Sequence, residues 1–424
     1  MKDSGIEWIG EIPEGWEIHR IKTHFSIISG SGFKPELQGQ STGDFPVCKA
    51  SDISSSGHYL HTSANYISSD IVKSQHFSII PKGSILFAKI GEAMRKNNRS
   101  LCSLDCCVDN NCQGLVPKNI SSEFSYYLFT CIDMTWFDNA GTIPCINNQK
   151  LYDCRIPFPS YGEQLLIANH LNIQCDKINE MLFHIRASIE EYKKLKQAVI
   201  TQAVTKGVRG EREMKDSGVE WIGEIPAEWS ICPLKRLAAI QTGSTPSKTS
   251  SESFYSSIAG TPWIKPDNLG FSSSIETTAE FLTEEGCSVA RILPSNTVYV
   301  GCIGSRIGNC GYSLIPCACN QQINALIFNA RMYWKYGWYL TIFQEEQYML
   351  LANGNVIQII NSTTQGNISC IVPSISEQRE ITAYLDAKCA EIDGLIEKKE
   401  QLVKELESYK KSLIYEVVTG KREV

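Results

Sequence analysis

No run of the 424-residue chain approaches the roughly 18 consecutive apolar residues that a membrane span requires. The opening residues Met1-Lys2-Asp3-Ser4-Gly5-Ile6-Glu7 lack the basic-then-apolar layout of a secretory signal, so the sequence reads as a soluble, cytoplasmic protein. Excess positive charge is missing too. Against 46 Asp and Glu stand 40 Lys and Arg, a formal net charge of −6, which argues against nucleic-acid binding by bulk basicity but leaves a local basic surface open. There is no Gly-x-x-x-x-Gly-Lys-[Ser/Thr] loop to cradle phosphates, and no Asp/Asn-Pro-Pro-Tyr/Phe tetrapeptide of amino-methyltransferases. Pro266-Asp267 is followed by no Glu-x-Lys and reads as a turn, not a nuclease centre. Gly30-Ser31-Gly32 lacks the third glycine of a dinucleotide fingerprint. The seven histidines, His58 and His61 among them, form no HxxxH-type pair and read as surface or core residues.

What is present is apolar material for packed cores, 42% of the chain, and seventeen cysteines. Their number is odd and the chain is long, so a disulfide framework is not expected. Cys102, Cys106, Cys107 and Cys112, and the pair Cys317 and Cys319, fit no CxxC…CxxC spacing. Small buried hydrophobes, and not zinc ligands, are the expectation.

The chain is written twice. Lys2-Asp3-Ser4-Gly5-Ile6-Glu7-Trp8-Ile9-Gly10-Glu11-Ile12-Pro13 returns as Lys215-Asp216-Ser217-Gly218-Val219-Glu220-Trp221-Ile222-Gly223-Glu224-Ile225-Pro226, and Trp16 and Trp229 continue the register. A second repeat closes each half: Pro159, Glu163-Gln164, Ile167, Leu171 and Cys175 stand 214 residues before Pro373, Glu377-Gln378, Ile381, Leu385 and Cys389. Between these repeats, about residues 20–155 and 235–370, the halves diverge.

The closing segments carry apolar residues at three-and-four spacing, such as Ile178, Leu182, Ile185 and Ile189, or Leu385, Cys389, Ile392 and Ile396. Ser374 or Ser376 suits an N-cap before Glu377, and Gly207 and Gly420 suit C-caps. About 42 helical residues give a rod of roughly 63 Å. Two equal rods with heptad-like seams are expected to pair as a coiled coil, with alternating charges such as Glu397-Lys398-Lys399-Glu400 facing water. The divergent middles hold β-rich runs (Ser84–Ala88, Thr297–Val300) and helix-like aromatic stretches (Phe124–Phe137, Tyr333–Tyr348), the texture of α+β domains of about 150 residues. Joining Val424 to Met1 would nearly recreate the junction after Thr205, so the chain ends are expected to be neighbours.

On these features the sequence resembles the specificity subunits of type I restriction-modification systems along essentially its whole length. The duplicated Gly-x-Glu-Trp-Ile-Gly-x-Ile-Pro-x-x-Trp opening and the two Pro-x-x-x-Glu-Gln helix starts carry the likeness. Further pieces are Thr242-Gly243-Ser244-Thr245-Pro246, Thr261-Pro262-Trp263-Ile264, Gly304-Ser305-Arg306-Ile307-Gly308 and Asn320-Gln321-Gln322-Ile323. The first half keeps weaker counterparts in Gly43–Val47, Lys89-Ile90-Gly91 and Asn111-Cys112-Gln113.

The resemblance implies an α+β fold: two globular α/β target-recognition domains in pseudo-two-fold arrangement, separated by an antiparallel pair of long coiled-coil helices. Its segments would be residues 1–158 and 209–372 for the domains, and 159–208 and 373–424 for the spacer helices. It also implies that each domain reads one half of a split double-stranded DNA target. The helices would set the spacer and dock two methyltransferase (modification) subunits, which restriction/translocase subunits can join. The chain itself would be non-catalytic and hold no cofactor or metal, with S-adenosylmethionine, ATP and Mg on the partners and no membrane involved. A related methylation-based phage-defence system and a coiled-coil protein-interaction scaffold are the alternatives, the latter favoured by the acidic charge.

Residues 1–160 carry 14 basic and 16 acidic groups, and 213–372 carry 9 and 13, so DNA contact must come from local clusters. The clearest is Lys89 with Arg95-Lys96-Asn97-Asn98-Arg99, where Arg and Asn suit guanine and adenine edges and Lys suits phosphate. Lys34 and Lys49 are further candidates in this half. In the second half they are Ser305 and Arg306, Ser244 and Thr245 with Lys248, Lys265 with Asn268, and Gln321. Trp263 and Trp334 read as core, since duplex readers seldom need stacking platforms. Trp8, Trp16, Trp221 and Trp229 read as anchors that pin each domain to a helix end or face a modification subunit.

Overall fold

The computed structural model describes residues 1–139, 141–246, 253–270, 274–354 and 357–424. Contacts divide the chain into two compact units, Met1–Ile185 with Leu402–Val424, and Arg186–Gln401. The apolar seams form two long helices, Tyr161–Lys206 and Ile375–Val418, of 46 and 44 residues. Each unit therefore takes the start of one helix and the end of the other. Among the described residues no helix is long and apolar enough to cross a membrane.

The helix ends follow from their sequence. At the first, Ser160 and Glu163 form a reciprocal capping box: the Ser160 amide donates 2.9 Å to Glu163 Oε2, and the Glu163 amide faces Ser160 Oγ at 3.4 Å. At the second, Ser374 and not Ser376 accepts the Glu377 amide, at 3.3 Å. Both helices stop at a glycine with positive φ, Gly207 at 78° and Gly420 at 72°. A Cβ on Gly420 would fall 2.3 Å from Pro13 Cδ, so the stop also lets the opening motif pack closely.

In the first unit the hairpin Lys2–Asp3/Glu11–Ile12 leads into strand Glu17–Arg20, which pairs antiparallel with Arg155–Phe158. Everything between these two strands is the reader. Its five-stranded sheet runs Phe25–Ser29, Cys112–Pro117, Ile85–Ala88, Arg99–Cys102, Tyr59–Leu60. A second sheet places Phe45–Cys48 between Tyr66–Ile67 and a parallel neighbour, Cys107–Val108. Helix Ser122–Thr130 covers the larger sheet, and Phe87, Leu115, Phe124 and Leu128 share one core with Leu171 and Ile178 of the first long helix and Leu413 and Val417 of the second. Each such side chain contributes about 1.5–3 kcal/mol on burial, so reader and helices are one cooperative body. The chain ends meet inside this unit, as expected: Tyr415 Oη lies 3.0 Å from the Trp8 carbonyl oxygen.

The second unit repeats the plan. Hairpin Met214–Asp216/Glu224–Pro226 precedes strand Ser230–Pro233, paired antiparallel with Ser369–Val372. The larger sheet runs Ala238–Thr242, Ile323–Phe328, Thr297–Gly301, Cys310–Ser313. The smaller sheet pairs Thr261–Ile264 in parallel with Ala318–Cys319. Helix Trp334–Phe343 closes a core in which Val298, Leu326 and Tyr336 meet Ile200 and Val204 of the first long helix and Ile381 and Leu385 of the second. Within each unit the start of one long helix thus lies along the end of the other, an antiparallel pairing.

Cys48, Cys102, Cys106 and Cys112 pack with Ile80 and Leu86 in an apolar cluster. Burial pushes the neighbouring Cys107 thiol up to about 11, so it remains protonated at neutral pH. All seventeen cysteines are free, and among the described residues no group of three or more His, Cys, Asp or Glu is placed to hold a metal ion.

Candidate nucleic-acid interface

In the second unit the loops of both sheets meet along one edge. The amides of Gly243 and Ser244 donate to the carbonyls of Ile323 and Cys319 at 2.9 and 3.0 Å, which fixes where strand Ala238–Thr242 leaves its sheet. Thr245 Oγ1 is hydrogen-bonded to Gln321 Oε1. The Asn320 amide donates 3.1 Å to the Ile264 carbonyl, setting Lys265 beside the same loop. Arg306, on the turn Gly304–Arg306, reaches Asp267 Oδ1 at 3.4 Å and joins that turn to Pro266–Asn268. The fold so brings together Ser244, Thr245, Lys265, Asn268, Arg306 and Gln321, with Ser305 exposed beside them. Lys248 lies outside the described residues.

The first unit builds the same edge from different side chains. The amides of Gly30 and Ser31 donate to the carbonyls of Cys112 and Val108, both at 3.1 Å, and the Lys89 amide donates 2.8 Å to the Asn111 carbonyl. Lys49 matches Lys265. Each opens a short turn whose third following residue accepts the lysine's own amide, Asp52 Oδ2 at 2.7 Å and Asn268 Oδ1 at 2.8 Å. The Lys49 ammonium donates to Gln38 Oε1 at 2.6 Å and lies 5.4 Å from the Phe33 ring centroid. Lys265 is instead paired with Glu280 at 2.7 Å. Lys34, at the entry to the turn Pro35–Leu37, is exposed.

The cluster after Lys89 is not one continuous loop. Residues Gly91–Arg95 form a helical turn, on which Arg95 pairs with Glu92 at 2.6 Å, and Lys96 follows exposed. Asn97 takes a left-handed conformation at φ 58°, and its Oδ1 accepts from the Met134 amide at 3.1 Å. Asn98 donates to Ser54 Oγ at 3.0 Å. Arg99 corrects the sequence expectation. It begins strand Arg99–Cys102, is only 6% exposed, and donates to Asn97 Oδ1 and the Ile132 carbonyl, both at 2.7 Å. Burial pulls its guanidinium down to about 10, and its bonding tethers the turn from within instead of offering a base contact.

Arg95, Lys265 and Arg306 are each at least 43% exposed at the side chain, and their carboxylate partners are exposed as well. Such pairs are worth about 0–1 kcal/mol, so exchanging the carboxylate for a phosphate or a base edge costs little. Sequence reasoning missed two braces beneath this edge. Buried Gln113 donates to Asn148 Oδ1 at 3.1 Å, and buried Asn324 donates to Gln365 Oε1 at 2.7 Å, each tying an inner strand of the larger sheet to the helical turn that precedes the strand bounding its reader. It also missed the segments around Ile143 and Ile357. The signal was present, because the offset of 214 continues upstream of Pro159 through Asn147 and Asn361.

Two α/β units with a matched loop edge and unlike polar side chains, each braced on paired long helices, define a duplicated recognition protein. The family described as the type I restriction modification DNA specificity domain matches residues 13–191 and again 226–405. The chain therefore belongs to that family and is a specificity subunit of a type I restriction-modification system. It is 26% identical over 437 residues to the type I restriction enzyme MjaVIII specificity subunit of Methanocaldococcus jannaschii, covering 97% of this chain and 93% of that protein. The putative MjaX specificity subunit of the same organism is 24% identical over 435 residues, covering 97% and 95%. Among solved structures, a chain from work on complex assembly and conformational transition of the type I R-M system superposes with a TM-score of 0.71 at 16% identity, covering 97% of this chain and all of that one.

Proposed function

We propose that each reader recognises one half of a bipartite double-stranded DNA target through its loop edge, and that the long helices set the unread spacer and dock two methyltransferase subunits. The observation that carries this reading is the edge itself, repeated with different chemistry. Around the shared Lys49 and Lys265, the first reader offers Asp52, Lys89, Arg95 and Lys96 where the second offers Asn268, Cys302, Ser305 and Arg306. One backbone frame with exchanged cations and amides suits two unlike half-sites. Exposed apolar residues on the first long helix, Leu166 (63%), Ile173 (47%) and Met181 (48%), support subunit docking there.

In this reading the chain is non-catalytic. S-adenosylmethionine is taken by the methyltransferase subunits, and ATP and Mg by restriction subunits that join them. With both readers acidic, most phosphate affinity comes from the partners. The test is a mobility shift at moderate salt, with the chain alone and with its modification subunits, on duplexes identified by methylome sequencing. The chain alone is expected to bind weakly and the complex to bind its own duplex selectively. A complex that assembles but selects no duplex would overturn the reading in favour of a protein scaffold.

A further inference from the structure

The readers differ in most of their loops, yet one segment is written alike in both. At the constant offset of 214, Asn139, Ile143, Ile146 and Asn147 fall on Asn353, Ile357, Ile360 and Asn361. The fold explains the last two of these. Asn147 and Asn361 are N-caps that accept backbone amides through their side chains. Ile146 and Ile360 are buried, and their amides donate to the carbonyls of Lys89 and Cys302, both at 2.9 Å. Nothing of the kind explains the isoleucines at 143 and 357, which are 65% and 57% exposed.

Their backbone position is set by the reading edge. The carbonyl that follows each exposed isoleucine accepts an amide: Pro144 O from Gly91 at 2.8 Å, and Gln358 O from Gly304 at 2.9 Å. Both glycines stand at φ 71° and begin the turns that present Arg95 and Lys96 in one reader, Ser305 and Arg306 in the other. Isolated bridges extend the match, Ile90 with Cys145 and Ile303 with Ile359. Each exposed isoleucine therefore stands one residue from the backbone bond that holds its turn.

We infer that Ile143 and Ile357 are apolar DNA contacts common to both readers, packing on the backbone sugars of the duplex without selecting sequence. A side chain shared by two domains that read different half-sites cannot distinguish those half-sites. It serves what both need, a grip on the duplex. Apolar contact of this kind is insensitive to charge, which matters in readers whose formal charges are about −2 and −4 by residue count. The inference rests on the DNA-reading role proposed above for this edge.

The test uses the full chain assembled with its modification subunits, on the duplex identified by its methylation and on an unrelated duplex. Ile143→Asp and Ile357→Asp set a carboxylate against the phosphate backbone, whereas Ile143→Lys and Ile357→Lys set an ammonium in the same place. The Asp variants are expected to bind both duplexes about tenfold more weakly per substitution, with the ratio between duplexes unchanged. The Lys variants are expected to bind at least as well as the native complex, and size-exclusion chromatography to show full assembly for all four. Loss of assembly in Asp and Lys variants alike would overturn the inference and make these protein-docking residues. Loss of selectivity instead of affinity would make them base readers. If the native complex selects its duplex and the Asp variants bind as it does, the inference alone falls. If the native complex selects no duplex, the DNA-reading role falls and takes the inference with it.

Discussion

Matched tryptophans do not carry matched loads. Trp229 donates at 2.9 Å to Glu377, a carboxylate only 2% exposed that also receives the guanidinium of Arg212 at 2.5 Å. Trp16 donates at 3.2 Å to Glu163, which is exposed and otherwise only closes the Ser160 capping box. Glu377→Ala would leave the buried end of Arg212 short of its main counter-charge and is expected to cost about 3 kcal/mol in urea denaturation. Glu163→Ala is expected to cost about 1 kcal/mol, the usual worth of a cap. The Ser160 hydroxyl holds the Glu163 carboxyl below its ordinary 4.5. A depressed carboxyl stabilises the fold fully above that ordinary value, and the stabilisation is lost as pH falls through the lower folded value. Denaturation midpoints followed downward from about pH 5 should therefore fall less steeply in Glu163→Gln than in the native chain. At this scale the site was only partly legible. Polar loop residues such as Lys265 and Arg306 stand out in the sequence, but Arg99 does not betray its burial, because all four residues of Arg99–Cys102 are buried and no alternation marks where the strand begins.

The long helices were legible because their seams, caps and terminal glycines all point the same way, and the sequence carries each signal twice. Sheet topology was not. Parallel pairs such as Val47–Cys48 with Cys107–Val108, or Trp263–Ile264 with Ala318–Cys319, involve two residues per strand, too few to leave a period. One inter-helix contact also recurs. In the second unit Lys196 donates to Asp393 at 2.7 and 2.8 Å, and in the first Lys410, its repeat mate, donates to Asn179, the mate of Asp393, at 2.7 Å. The Lys196 side chain is 13% exposed, so Lys196→Ala removes a half-buried ion pair and should cost about 1–2 kcal/mol. Asn179→Asp supplies the missing charge in the first unit and should stabilise it by up to about 1 kcal/mol, with the gain shrinking in high salt. Urea titrations at two salt concentrations separate this from a neutral change, which would show that the amide already does all that the carboxylate does.

On the scale of the whole chain, each divergent segment enters and leaves its unit through adjacent positions of one strand pair. Arg20 faces Arg155 in the first unit, and Pro233 faces Ser369 in the second. A segment with neighbouring ends can be replaced without moving the opening motif or the helices, provided the new segment buries an equivalent face on Leu171 and Ile178. The same geometry explains why sequence likeness falls away at those strands, the segments around Ile143 and Ile357 excepted: outside them residues answer to the helices and the opening motif, and inside them the exposed loops are free to differ. Replacing residues about 20–155 with the corresponding segment of another specificity subunit should therefore change one half of the methylated sequence and leave the other half intact. Methylome sequencing of a host carrying the chimera reads both halves at once. A change in both would mean that the readers are coupled, and that the reader's core, which runs without a break into the helices, carries specificity as well as stability.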